Sequence, residues 1–104
     1  MSMPWAVVGA NFALSAIVTD VGGVAIDLTG GSAKFGYLKP DGTTGTFTAT
    51  LDTPAQGVIH YDVQTSDVTL AGQWVFWTEA TTSGGKVYIS AGTPVKVLSK
   101  GATL

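Results

Sequence analysis

His60 is the single histidine of the chain, and Asp62 follows two residues later. On a strand that spacing puts both side chains on one face. An imidazole beside a carboxylate can begin a metal site or an acid–base pair. A metal site usually takes three or more ligands, and nucleophilic catalysis needs a hydroxyl served by both groups. The sequence brings neither to this pair, so a solvated strand face is the expected reading. Asp20, Asp27, Asp41, Asp52 and Asp67 sit in or beside turns, where a carboxylate commonly binds its own backbone. The dense acidic spacing of a calcium loop is absent. The pairs Gly22-Gly23, Gly30-Gly31 and Gly84-Gly85 lack the Lys-Ser/Thr or helix of a phosphate loop and read as turns. No catalytic residue, metal ligand or cofactor site is expected, and the chain is not expected to be an enzyme.

The aromatic residues are the stronger candidates. In Asp67–Glu79 a polar turn and a glycine lead into a strand holding Trp74, Phe76 and Trp77. Trp74, Phe76 and Thr78 share one face, read as inward; Val75, Trp77 and Glu79 share the other. If Tyr88 lies outward on the next strand, Trp77 and Tyr88 make a flat platform. Such a platform docks a protein or stacks on a sugar, or covers its own sheet as a cross-strand pair. Trp5, near the N-terminus, folds back on the domain or docks on a neighbour. Trp5, Trp77 and Tyr88 are therefore the candidate partner-docking residues. For a glycan, Gln73, Glu79 and Lys86 would supply the polar surround.

The elements that must position these residues are short. The chain has 104 residues, enough for one domain spanning 1–104. It has no cysteine, so neither disulfides nor thiol chemistry is available. Five lysines and no arginine stand against seven acids, for a formal charge of −2. That balance argues against nucleic acid, which needs clustered cations. The apolar stretch Trp5 to Val18 has no basic start and contains Asn11 and Ser15, so neither a signal peptide nor a membrane span is expected. Charged residues at only 12% suggest that a partner covers part of the surface.

Residues 1–9 read as an arm or short edge strand, and 99–104 as a frayed tail. Between them lie Phe12–Thr19, Val24–Leu28, Ala33–Lys39, Thr43–Leu51, Val58–Gln64, the Trp74 strand, and a last strand from Lys86 to Leu98 kinked at Pro94. Lys39-Pro40-Asp41-Gly42 has the residues of a type I turn between two strands. Thr46, Thr48 and Thr50 mark a solvated face. At most one helical turn is expected, at Asp67–Ala71. Seven or eight strands with regular turn signals predict an all-β antiparallel sandwich.

Asp67, Ala71-Gly72 and Trp74 resemble the corner at the head of strand F in immunoglobulin-like (Ig-like) domains. A wider resemblance rests on Val24-Ala-Ile-Asp-Leu-Thr-Gly30, Phe35 with Lys39-Pro-Asp-Gly42, Gln56-Gly57 with Tyr61, Ala71-Gly72-Gln73-Trp74, and Pro94-Val95-Lys96-Val97, in that order. Together they resemble the Ig-like N-terminal domain of phage baseplate upper proteins and related small tailed-phage structural proteins. Members of that family carry further domains after the sandwich, whereas this sequence ends at Leu104. The resemblance implies a structural component of a tailed-phage virion, tail- or baseplate-associated, made in the host bacterial cytoplasm. Its implied partners are other virion proteins and copies of itself. The alternative is a carbohydrate-binding or host-surface adhesion module that uses the same aromatics.

Overall fold

The computed structural model describes residues 5–101, with the side chain of Trp5 outside the described part. Nine strand segments run in chain order: β1 (Trp5–Val7), β2 (Phe12–Ile17), β3 (Ser32–Leu38), β4 (Thr44–Thr48), β5 (Thr50–Thr53), β6 (Val58–Val63), β7 (Gly72–Thr81), β8 (Val87–Ile89) and β9 (Thr93–Leu98). The larger sheet has the order β1-β9-β7-β3-β4, with β8 also paired to β7; the smaller has the order β2-β6-β5. The domain is an all-β sandwich, as the strand pattern predicts. One pair departs from the antiparallel rule. β1 runs parallel to β9, with Trp5, Ala6 and Val7 opposite Lys96, Val97 and Leu98. The arm expected at residues 1–9 is thus an edge strand over residues 5–7; residues 1–4 and 102–104 lie outside the described part.

The core follows from strand alternation. β7 buries Trp74, Phe76, Thr78 and Ala80 and leaves the residues between them half-buried or exposed. Opposite it, β2 turns Phe12, Leu14 and Ala16 toward the core, and β6 buries Ile59 and Val63. An aromatic chain links the layers. Tyr61 stacks on Phe47 at 4.6 Å, Phe47 meets Tyr37 at 4.8 Å, and Tyr37 meets Trp74 at 5.6 Å. Offset or tilted ring pairs of this kind add to plain area burial.

Four expected elements differ. Lys86–Leu98 is not one kinked strand but two, β8 and β9, which pair with different parts of β7. Thr43–Leu51 is not one strand: it divides at Ala49, so that β4 pairs with β3 and β5 pairs with β6. The threonine row stays exposed across the division, so the pattern alone could not reveal it. Val24–Leu28 is extended but forms only the single bridge Thr19–Ala25. Its Ile26 N–H donates to the Val18 carbonyl and its Leu28 N–H to Pro54, at 2.9 and 2.7 Å. Leu28 is buried, while Val24 is exposed. The helical turn lies at Pro54–Gln56 rather than at 67–71.

Two side-chain hydrogen-bond sets hold the turn before β7. The Trp74 indole donates Nε1–H to the Leu70 carbonyl at 2.8 Å. Asp67 Oδ2 accepts the Tyr61 hydroxyl at 2.6 Å and the Gln64 N–H at 2.8 Å. The Asp67 hydrogen bond, with burial and the carboxylate charge behind it, pushes Tyr61 up to about 12. The bonded form is the neutral phenol. Its contribution to stability is complete below the ordinary tyrosine value near 10 and is lost as pH climbs through the raised one. In an ultraviolet absorbance titration Tyr61 therefore ionises late. Asp67→Asn brings it back toward the ordinary tyrosine value near 10; an unchanged titration would contradict the assignment.

Candidate functional site on the outer face of the large sheet

The turn between β7 and β8 decides which residues face outward. Thr82 N–H donates to the Lys86 carbonyl at 2.9 Å, and Gly85 N–H to the Thr82 carbonyl at 2.9 Å. Three residues, Ser83 to Gly85, therefore form the loop. The third is Gly85 at φ 86°, the left-handed position such loops require. This register sets Val87, Tyr88 and Ile89 opposite Thr81, Ala80 and Glu79. Directly opposed residues share a face. Tyr88 is thus on the inner face with Ala80, packed against the core. Val87 and Ile89 are outward, 60% and 65% exposed.

This arrangement corrects the expected platform: Trp77 and Tyr88 lie on opposite faces of the sheet. Trp77 does face outward, across from Gly36. Its Nε1, Cε2 and Cζ2 occupy the space that a Cβ on Gly36 would take. Nε1–H donates to Glu79 Oε2 at 2.7 Å, and Glu79 stands 4.0 Å from the Lys34 ammonium. Trp77 thus covers its own sheet. The backbone of Trp5 sits opposite Lys96 at the far edge, and its side chain lies outside the described residues.

The outward row across this face is Leu38, Val75 and Pro94, then Gly36 and Trp77, then Lys34, Glu79 and Ile89. Among the described residues, β8 lies at one edge with a neighbour only on its β7 side. Ser90 N–H donates to the Thr78 carbonyl at 3.0 Å, so Tyr88 is the β8 residue whose backbone turns to β7. By alternation the N–H and C=O groups of Val87 and Ile89 point to the free edge. Two exposed aliphatic side chains on an unpaired edge are what a partner strand can use.

His60 lies outward on β6, as expected. Its Nδ1 is 2.6 Å from Asp52 Oδ1, and its Nε2 faces Asp62 Oδ2 at 3.6 Å. Sequence spacing identified Asp62 and missed Asp52, which sits at a register shift between Leu51 and Thr53. A bulge re-aims the side chain it carries, and sequence spacing did not mark one here. The two carboxylates stand at opposite nitrogens of the ring, so they cannot ligate one ion together with it. Among the described residues, no group of three or more His, Asp or Glu side chains is placed to hold a metal.

The fold and this face define a two-sheet all-β domain with an apolar outer face and an open edge strand. No protein-family model and no curated protein matches the sequence.

Proposed function

We propose that this chain is a non-enzymatic structural module of a tailed-phage virion that docks onto neighbouring virion proteins through β8 and the outer face beside it. The exposed pair Val87 and Ile89 on the free edge of β8 carries the reading. The family resemblance described above supplies the virion context. An Ig-like assignment is supported by the strand order. β2, β6 and β5 take the places of strands B, E and D, and β3, β7 and β8/β9 those of C, F and G, with β4 extending the second sheet as in variable-type domains. The Trp74–Leu70 hydrogen bond stands where that fold has its corner. The sugar-binding reading loses its main support, since Trp77 and Tyr88 share no face.

The test is mass spectrometry of tailed particles purified from the source culture. The chain is expected at fixed copy number. Particles made with Val87→Lys and Ile89→Lys are expected to lack it, although the variant folds normally by circular dichroism. Absence of the wild-type chain from purified particles would overturn the virion assignment. Full incorporation of the double variant would overturn the docking edge.

A further inference from the structure

Two further features lie at opposite ends of the molecule. The first is a turn tip. Asp20 N–H donates to the Val24 carbonyl, and Gly23 N–H to the Asp20 carbonyl, at 2.9 and 3.0 Å. Asp20 Oδ1 accepts the N–H groups of Gly22 and Val24 at 2.8 and 3.0 Å. Four hydrogen bonds fix this turn, and at its crest Val21 is fully exposed. A lone exposed valine is ordinary; one held on a narrow, hydrogen-bonded tip between Asp20 and a glycine pair is a shaped knob. The second feature is a depression of about 460 Å³ lined by Gly72, Gln73, Pro94 and Lys96.

The register places them apart. The depression is where β7 begins, with Gly72 beside Val97 and Gln73 beside Lys96. The knob follows β2, whose last residue Ile17 pairs with Val58. The chain then returns through Leu28, bonded to Pro54, to Gly31, where a Cβ would strike the Thr81 carbonyl at the far end of β7. The molecule measures 45 × 25 × 25 Å.

Their charges are opposite. Asp20, half-buried, and Asp27, exposed, lie on the two arms of the knob. Lys96 lines the depression. A knob at one end and a depression of opposite charge at the other form a heterologous pair, which builds rings or stacks rather than two-fold dimers.

We propose that copies of this chain associate head to tail, the Val21 turn of one seating in the Gly72–Gln73–Pro94–Lys96 depression of the next. The proposal deepens the assembly reading above and rests on it; the depression lies on the same outer face, at the end of β7 away from β8. So small a contact is weak alone and gains strength when many copies are held in register.

Sedimentation velocity over a concentration series reads the contact. Wild type associates between about 1 μM and 1 mM, and less as salt is raised. Val21→Ser, which removes the apolar knob without adding charge, and Lys96→Glu each give monomer. An equal mixture of the two gives a defined dimer, since one variant keeps its depression and the other its knob. A monomeric wild type up to about 1 mM, or a mixture that stays monomeric while wild type associates, overturns the proposal. Association that survives both variants but is lost in Val87→Lys/Ile89→Lys overturns it too and leaves the β8 edge as the docking surface. Absence from purified particles, by contrast, strikes the virion reading and leaves this contact measurable.

Discussion

Replacing Trp74 by alanine is expected to cost about 3–5 kcal/mol of folding stability. The side chain is fully buried. It stacks on Phe76 at 5.9 Å, meets Tyr37 at 5.6 Å, and closes the corner onto Leu70. Lys39 adds a cation 5.8 Å above the indole. A domain of this size is stable by roughly 5–15 kcal/mol, so the loss takes about a fifth of that or more. The melting temperature should fall by about 15 °C or more. Trp74→Phe separates the terms: it keeps a ring against Phe76 and Tyr37 and removes the Nε1 donor, at about 1–2 kcal/mol. Urea unfolding followed by far-ultraviolet circular dichroism measures both, because the substitutions remove a fluorophore. A cost below about 1 kcal/mol for alanine would mean that the sheets close without this anchor.

That anchor was legible in the sequence because its signals agree. A polar turn, a small residue and alternating large apolar residues all point to a long strand with Trp74 inward. The same alternation runs through β3, β4 and β6, which bury Phe35, Phe47, Ile59 and Val63. Tyr88 was misplaced because one residue of loop length inverts every facing beyond it. A loop of four residues before β8 would put Tyr88 on the face of Trp77; the three-residue loop ending at Gly85 puts Val87 and Ile89 on that face instead. Ser-Gly-Gly is compatible with either length, so the strand pattern could not choose. Asp52 was missed for a related reason, since a bulge breaks the period of two that the reading depends on. The division of Thr43–Leu51 between sheets has no local signal either, because Ala49 changes partner while the threonines stay in water.

Gly36→Ala is expected to destabilise the domain by about 1–3 kcal/mol through overpacking, and its sign should reverse once Trp77 is gone. Glycine in the interior of a central strand is ordinarily unfavourable, and β3 lies between β4 and β7. Here the missing Cβ makes the seat for the Trp77 indole, an aromatic covering a glycine across the strand pair. An alanine must push the indole off its seat and away from Glu79, 2.7 Å distant. In a Trp77→Ala background the seat is empty, and alanine gains about 0.5–1 kcal/mol over glycine. The four proteins of the cycle, compared by urea unfolding, should show a coupling of about 2 kcal/mol. Equal effects of Gly36→Ala in both backgrounds would show that Trp77 is not held there. The result also bears on function. Trp77→Ala weakens the domain through this seat, so it cannot by itself identify a docking residue. Val87 and Ile89 have no comparable burial, and loss of docking with folding intact can come only from residues of that kind.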